Sequence, residues 1–191
     1  GQWVVYSRYL SPTTAKVCKA RVSDGAVTEL TDGNTMDEMP VYSPDGKYII
    51  YQHEWNIYRM PADHLPGDQT TLVNLTGSWG GSAGYQSDAP MYSIEGDSIV
   101  FMATNDHSGN QQSWMNGMEI WMMNSDGSGR TRITSNSVPD FDPSCSKVAP
   151  TLTLTSPKGS ETFVAGKSVT ITWNGTVTGT VKIEYSTDDA V

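Results

Sequence analysis

The sequence is short of cysteine, of basic residues and of long apolar runs. Its two cysteines, Cys18 and Cys145, are too few for a disulfide-rich domain or a cysteine-ligated metal cluster. The 12 Lys and Arg residues against 21 Asp and Glu residues give a net charge of −9, which argues against binding to nucleic acid or to an anionic membrane. No apolar stretch approaches the length of a membrane span, so we expect no spanning segment.

Residues that form turns are, by contrast, abundant. The chain has 18 glycines and 10 prolines, and 37% of it is hydrophobic, a composition typical of a turn-rich β protein. Its 191 residues exceed one small domain and allow two. We therefore expect an all-β chain with more than one domain.

A repeated segment organises most of the chain. Residues 40–51 predict a short strand, a Ser-Pro-Asp-Gly turn and a second strand of unbroken apolar residues. Residues 90–101 repeat the pattern, and a third copy begins at 139–144 and stops short. Its missing second half lies at the start of the chain, where residues 1–6 align with 46–51.

Each repeat also carries a later Leu-Thr or Ile-Thr pair, at 30–31, 75–76 and 133–134. A period of about 45 to 50 residues with several short strands per unit is typical of propeller blades. These residues resemble the TolB-type β-propeller repeat, a relative of the WD repeats, over about residues 1–146. The resemblance implies a propeller fold and leaves the function open, because such propellers serve mostly as binding platforms.

The repeats also predict how the domains are arranged. Residues 1–147 form three blades: a circularly split blade made of 139–146 and 1–32, and blades at 40–76 and 90–134. Because propellers usually have about four to eight blades, we expect these three to be part of a six-bladed ring. Either the sequence is a fragment of a longer propeller, or two chains share the split blade and self-associate.

Residues 148–191 differ in composition, being rich in Thr and Ser with alternating apolar and polar residues at 151–155, 168–173 and 181–185. Alternation of this kind predicts half-exposed strands of a sandwich. The segment resembles the Ig-like modules of secreted bacterial surface proteins, at about half the usual length. The pairing of modules implies a bacterial protein that is extracellular, on the cell surface or periplasmic.

Strand direction predicts where binding takes place. In four-stranded antiparallel blades, the Asp-Gly turns lie at one end, and the long connections, including 77–89 and 104–117, lie at the other. Aromatic residues of the two longest loops suit stacking on sugars or anchoring a protein, or they fold back to cap the blades. The acidic residues beside the blade prolines, Asp37, Glu38 and Asp88, either form an acidic rim near the propeller axis or cap strands. The candidate binding residues are Asp37, Glu38, His53, Trp55, Trp79, Tyr85, Asp88, His107 and Trp114.

Three short patterns with a chemical meaning are better explained as loops. The G-x-S-x-G string at 80–84 lacks the strand before it and the helix after it that a nucleophile elbow requires. His53 and His107 have no metal-ligand spacing, and the oxygen-rich turn at 124–127 lacks the spaced carboxylates of a calcium loop. We therefore assign no catalytic residue and no metal ligand, and calcium is the only cofactor for which the pattern gives a hint.

The function favoured by the sequence is that of a non-catalytic extracellular binding or scaffold protein, which uses the long-loop face of a propeller to bind protein or glycan. Two alternatives stay open: the accessory propeller of a larger exported glycan-active enzyme or peptidase, and a structural subunit of an extracellular assembly. We expect a binding protein rather than an enzyme.

The two cysteines are not expected to pair. Cys145 aligns with the turn glycines of the repeat, whereas Cys18 aligns with Ile57 and Ile120 in the third strand. That alignment separates the two thiols by roughly 20 Å along a strand, and a disulfide requires Cα atoms within about 7 Å.

Overall fold

The computed structural model of the chain describes residues 2–77, 86–104, 117–146, 152–159, 161–175 and 182. The chain divides into two compact units, 1–146 and 147–191. In the part that the structure describes, no helix is long and apolar enough to cross a membrane.

The first unit is built almost entirely of strands. Their bounds are β1 Trp3–Ser11, β2 Thr14–Arg21, β3 Val27–Glu29, β4 Asp37–Tyr42, β5 Tyr48–His53, β6 Asn56–Pro61, β7 Val73–Asn74, β8 Gln86–Tyr92, β9 Ser98–Thr104, β10 Glu119–Asn124 and β11 Thr131–Arg132. A 3-10 helix, Gln69–Thr71, precedes β7. The strands form three antiparallel sheets with the orders β1-β2-β3, β4-β5-β6-β7 and β11-β10-β9-β8. The predicted all-β class is confirmed.

The Ser-Pro-Asp-Gly turn closes the first hairpin of the second sheet through its side chains. Ser43 Oγ donates to Asp45 Oδ1 at 2.7 Å and accepts a hydrogen bond from the Tyr48 N–H at 3.0 Å. In the third sheet, where the turn sequence departs from the pattern, Ser93 Oγ donates to Asp97 at 2.8 Å. The same turn forms from two sequences because a carboxylate lies within reach of the serine in both.

The Leu-Thr pair ties the outermost strand of each sheet to the strand beside it. In all three sheets, the threonine hydroxyl accepts a hydrogen bond from a backbone N–H of the third strand of the repeat. The distances are 3.0 Å from Val17 to Thr31, 2.9 Å from Ile57 to Thr76 and 2.9 Å from Ile120 to Thr134. Because this side-chain hydrogen bond takes the place of further backbone hydrogen bonds between the two strands, the outermost strands need only two or three residues.

Two apolar clusters lie between neighbouring sheets. The cluster between the first and second sheets consists of Val17, Leu30, Ile49, Tyr51 and Met60. The cluster between the second and third sheets consists of Ile50, Ile57, Leu75, Tyr92, Ile99, Phe101, Ala103 and Met123. Alternate residues of β5 enter different clusters, so both faces of the second sheet are covered, as its unbroken apolar run predicts.

The inner strands of the second and third sheets share a β-bulge before a proline. Met39 and Ala89 precede Pro40 and Pro90 and have left-handed φ angles of 51° and 45°, and the strand register shifts at both sites. Asp142, which precedes a later proline, has the same kind of φ, 50°. The residue before Pro143 therefore has the same left-handed conformation as the residues before Pro40 and Pro90.

This left-handed residue corrects the predicted alignment of the third repeat. The Asp140 N–H donates to the Met118 carbonyl at 2.9 Å, as the Ser87 N–H donates to the Trp55 carbonyl at 2.8 Å. Pro143, and not Pro139, therefore takes the place of Pro90, and the predicted start of this inner strand is wrong. Residues 139–146 form no strand, and among the described strands β1 pairs only with β2.

The alignment of both cysteines changes as well. Val17 makes the third-strand bond to a threonine, so Val17, and not Cys18, is equivalent to Ile57. Cys145 lies two residues after Pro143, as Tyr42 lies two residues after Pro40, so Cys145 aligns with Tyr42 and not with a turn glycine. Both thiols are free, and Cys18 is buried.

The second unit contains one described pair of antiparallel strands, β12 (Leu152–Ser156) and β13 (Thr172–Gly175). β12 lies where alternation predicts a strand, whereas β13 begins four residues later than the strand predicted at 168–173. Of the third predicted strand, 181–185, only Lys182 is among the described residues.

Candidate functional site

The long connections of the third sheet leave it from one end. In the third sheet, Gln86 pairs with Thr104 and Glu119 pairs with Ala103, so the connections before β8 and after β9 meet the same end of the sheet. The short turns after β8 and β10 lie at the opposite end. We call the end that bears the long connections the long-loop end. Residues 78–85 and 105–116, and with them the predicted Trp79, Tyr85, His107 and Trp114, lie outside the described residues.

Two of the predicted binding residues, Asp37 and His53, form an ion pair at the long-loop end. They are opposite each other where β4 begins and β5 ends, with His53 Nδ1 2.6 Å from Asp37 Oδ1. Asp37 is buried, and Thr35 Oγ1 donates to the same carboxylate oxygen at 3.2 Å. The hydrogen bond with Asp37 raises the pKa of His53, although burial of the ring opposes the shift. His53 therefore holds a positive charge more readily than an isolated histidine.

The Asp37–His53 pair lines a cavity of about 180 Å³ between the first two sheets. Such a volume is below the roughly 300–1,000 Å³ of typical small-molecule sites and suits a single side chain or sugar group. The polar wall includes Asp32, Thr35, Asp37, His53, His64 and Gln69.

One wall of this cavity comes from the segment between β6 and β7. His64 is buried there with its Nδ1 2.8 Å from Thr71 Oγ1, and burial lowers its pKa. This wall was not predicted, because the sequence at 71–75 matches the fourth strand of a blade. In the structure, β7 has two residues, and the chain before it packs beside the cavity. The sequence signal for this wall was His64, a histidine in an unusually long connection between two strands.

Three carboxylates from successive inner segments form what we call the acidic group: Glu38, Asp88 and Asp142. Glu38 and Asp88 occupy equivalent positions in β4 and β8, one residue before the bulge. Burial, with the nearby charges of Glu38 and Asp142, raises the pKa of Asp88 to about 6, although a hydrogen bond from the Ala89 N–H opposes the shift. The charges of Glu38 and Asp142 lie close enough to Asp88 to affect its ionisation, so the three carboxyl groups make a negative patch.

Tyr9 completes the acidic group from the first sheet. Its hydroxyl donates a hydrogen bond to Glu38, and this bond raises the pKa of Tyr9 to about 12. The structure therefore brings two members of the predicted acidic rim, Glu38 and Asp88, into one patch. The third, Asp37, pairs instead with His53. Tyr9 and Asp142 were missed because neither contact is visible without the fold.

Trp55 lies in a strained turn at the same end. Glu54 and Trp55 connect β5 to β6 with φ angles of 45° and 67°, a left-handed conformation that costs about 1 kcal/mol or more for each non-glycine residue. The Trp55 side chain is 39% exposed, and its carbonyl accepts the bond from Ser87 that joins the second sheet to the third. A large aromatic side chain is thus held at the surface on a two-residue turn.

A larger cavity, about 810 Å³, lies at the opposite end between the first two sheets. Its lining includes Trp3 and Lys19. Lys19 and Arg21 lie over the Trp3 ring, 5.3 and 5.4 Å from its centroid. Because the histidine, the buried carboxylates and Trp55 lie at the long-loop end, we place the candidate site there.

The structure shows how the turn at 124–127 uses its oxygens. Asp126 Oδ1 accepts hydrogen bonds from the Ser128 N–H at 2.9 Å and the Ser128 hydroxyl at 2.6 Å. This is the local bonding that the repeat turn predicts. Among the described residues, no group of three or more His, Cys, Asp or Glu side chains is arranged to hold a metal ion.

Comparisons with known proteins identify the fold. No protein-family model matches the chain, and no curated protein sequence matches it. Similar solved structures include the TolB-type protein of Agrobacterium tumefaciens, with 22% identity over 69% of this chain and a TM-score of 0.53. TolB of Acinetobacter baumannii is 18% identical over 73% of this chain, with a TM-score of 0.52.

This likeness concerns the fold alone. The chain covers 45% of the Agrobacterium protein and 31% of the Acinetobacter protein, so it spans less than half the length of either. The three sheets of the first unit are blades of a TolB-like β-propeller, and we number the blades as we numbered the sheets.

Proposed function

We propose that this protein is a non-catalytic bacterial binding protein, outside the cytoplasm, that binds a protein or glycan at the long-loop end of its propeller blades. The observation that carries the proposal is the convergence of the acidic group, the Asp37–His53 cavity and Trp55 at that end. Binding residues are commonly carried on the irregular connections of a rigid β scaffold.

The chemistry of this end favours a ligand with a basic group beside an apolar one. Glu38, Asp88 and Asp142 supply negative charge, which a Lys or Arg side chain of a protein segment would neutralise. Trp55 offers an exposed aromatic face for the ligand's apolar part. We therefore place protein ligands with basic segments ahead of neutral glycans.

The proposal is tested by measuring binding of the purified chain to arrays of basic peptides and of glycans, before and after substitution. Glu38→Gln combined with Trp55→Ala should weaken binding of any captured ligand at least tenfold, with the circular dichroism spectrum unchanged. Asp63→Asn, which removes one charge from the cavity at the opposite end, is the matched control and should leave binding unaltered. Equal binding by all three proteins would overturn the proposal.

A second candidate function has one observation in its favour. A buried carboxylate that orients a histidine, as Asp37 does His53, is an arrangement suited to general acid–base chemistry. That arrangement supports the alternative of an accessory propeller in a larger exported glycan-active enzyme or peptidase. Turnover of glycan or peptide mixtures by the purified chain, abolished by His53→Gln, would replace the binding proposal with this one.

For the second unit we propose an Ig-like spacer. The support is the antiparallel β12–β13 pair and the alternation of apolar and polar residues around it. A spacer role predicts that a chain ending at Ser146 keeps the ligand binding of the full chain.

A further inference from the structure

The cavity that Asp37 and His53 line is built from one continuous part of the chain. The described residues around it lie between 31 and 72: in the connection from β3 to β4, in β4 and β5, and in the segment between β6 and β7. The first and second blades therefore form its walls together. What it can hold depends on which of its polar groups are already bonded.

Three buried side chains of this cavity each have a polar atom without a hydrogen-bond partner in the part of the chain that the structure describes. Tyr51 is 1% exposed, Asp37 2% and His64 5%. Asp37 accepts the bonds from Thr35 and His53 through Oδ1, which leaves Oδ2 unpaired. The Tyr51 hydroxyl and His64 Nε2 are unpaired as well. Because buried polar groups are normally hydrogen-bonded, three such atoms at one cavity point to a bound polar group.

The Tyr51 hydroxyl lies at the cavity beside its carboxylates. Burial raises the pKa of Tyr51, and the charges of Asp37 and Asp32 raise it further. Both carboxylates line the cavity, so the hydroxyl lies near them and bonds to neither. Its oxygen is therefore available to accept a hydrogen bond from a ligand.

The unpaired nitrogen of His64 is also an acceptor. The Thr71 hydroxyl donates its one proton to Asp68 at 3.3 Å, so its oxygen accepts the bond from His64 Nδ1 at 2.8 Å. Burial lowers the pKa of His64, although the charges of Asp68 and Asp63 oppose the shift, and the ring is neutral at pH 7. A neutral imidazole with its proton on Nδ1 has a bare Nε2, which accepts.

The charge of the cavity is negative. Asp32 and Asp37 are both carboxylates of its lining, and His53 offsets only one of them when it is protonated. An anionic ligand is therefore disfavoured. A sugar hydroxyl or a carboxamide both donates and accepts, whereas the unpaired groups here are a carboxylate oxygen, an imidazole nitrogen and a hydroxyl oxygen. An ammonium group, with one positive charge, three donors and no acceptor, matches this set.

We propose that the cavity binds the ammonium group of a lysine side chain, with Asp37 Oδ2, His64 Nε2 and the Tyr51 hydroxyl accepting its three hydrogen bonds. Leu72 and the Tyr51 ring line the same cavity and supply an apolar wall for the aliphatic stem. A guanidinium matches less well, because its five donors exceed the three unpaired acceptors. The inference rests on the proposed function, since the lysine belongs to the basic protein segment proposed there.

The first test uses Nα-acetyl-lysine amide as the probe, titrated into the full chain and followed by amide and histidine NMR signals. It should bind saturably and shift the signals of Tyr51 and His64. Its Nε-acetylated form and Nα-acetyl-arginine amide should bind about tenfold more weakly or less well still. Absence of saturable binding, or equal affinity for any two of these probes, would overturn the proposal.

A substitution of one atom tests the assigned acceptor. Tyr51→Phe should weaken binding of the lysine amide about tenfold, because it removes a hydrogen bond to a charged group. It should leave the free energy of unfolding unchanged or higher, because the lost hydroxyl has no partner in the folded chain. Tyr42→Phe, at the cavity of the opposite end, is the matched control and should bind as the unaltered chain does. Equal binding by both variants would refute the site.

Further probes separate the source of the amine and the two proposals. Glycinamide, which has an α-amine and no stem, should bind about tenfold more weakly than the lysine amide, and tighter binding of glycinamide would overturn the lysine assignment. Basic peptides captured by the chain should lose affinity in Tyr51→Phe. If they do not, the lysine site is refuted and the proposed function stands. If the lysine amide binds but no peptide or glycan is captured, the amine site stands and the proposed function fails.

Discussion

His53 Nδ1 lies 2.6 Å from Asp37 Oδ1, and this ion pair joins the last residue of β5 to the first residue of β4. The His53 ring also packs edge-on against Tyr58, with ring centroids 4.7 Å apart. The pair therefore fixes the end of the inner hairpin beside the cavity, and its strength depends on the charge of His53.

The stability contributed by this pair should fall as the pH rises. The pKa of His53 is raised in the folded chain above its ordinary value of about 6.5. Its contribution is therefore complete below about pH 6.5 and is lost as the pH rises through the folded-state pKa. Urea unfolding between pH 5.5 and 9 should show a fall in the free energy of unfolding that is absent from His53→Gln. The same pH dependence in both proteins would refute this.

Asp88 should destabilise the fold at neutral pH. Its pKa rises from 3.8 to about 6 in the folded chain, so ionisation is less favourable there than in the unfolded chain. The stability associated with its protonated form is present below about pH 4 and is lost as the pH rises through 6. Asp88→Asn should therefore raise the free energy of unfolding by about 2 kcal/mol at pH 7.5 and change it little at pH 3.5. Asp97→Asn should act in the opposite direction, because hydrogen bonds lower the pKa of that carboxyl.

Glu119 should be among the most sensitive polar residues of the third blade. Burial opposes its ionisation, but hydrogen bonds from Thr134, Asn136 and Arg132 outweigh this and lower its pKa. Glu119→Ala leaves these donors without their acceptor and should cost about 3 kcal/mol in chemical denaturation at pH 7. Glu29→Ala, which breaks two ion pairs of an exposed carboxylate, with Arg8 and Lys16, should have a much smaller effect.

Substitution of the strained turn at Glu54-Trp55 should change stability and ligand binding in opposite directions. Asn-Gly is the sequence preferred in a two-residue hairpin turn with left-handed φ at both positions. Replacing Glu54-Trp55 by Asn-Gly should raise the free energy of unfolding by about 1–2 kcal/mol, because the strain is relieved. Ligand binding should weaken in the same protein if Trp55 contacts the ligand, whereas Glu54→Asn alone should leave it intact.

The sequence was sufficient to predict the features of the fold that are local in the chain. The Ser-to-carboxylate turn and the Leu-Thr pair are made of neighbouring residues, and both recur in the structure where the repeat places them. The alignment of the third repeat was not local. Spacing favours Pro139, which lies 49 residues after Pro90, over Pro143, which lies 53 after it, because Pro40 and Pro90 are 50 residues apart. Only the left-handed φ of Asp142 and the backbone bond of Asp140 identify Pro143.

The candidate site was predictable in part for the same reason. Asp37 and His53 both follow from the repeat, since each lies in a connection next to the strands predicted within 40–51. Tyr9, His64 and Asp142 join the site through contacts between distant segments, which no spacing along the chain encodes.

The shortness of the outermost strands has a consequence for solubility. β3 has three residues, and β7 and β11 have two each, so the outer edge of every blade offers few unpaired backbone groups to a foreign strand. β1, with nine residues, is the long edge among the described strands. Accidental strand addition, the first step of aggregation, is thereby left to the inner edges of the blades, which are β1, β4 with six residues and β8 with seven, and whatever covers these edges also protects the protein from aggregating.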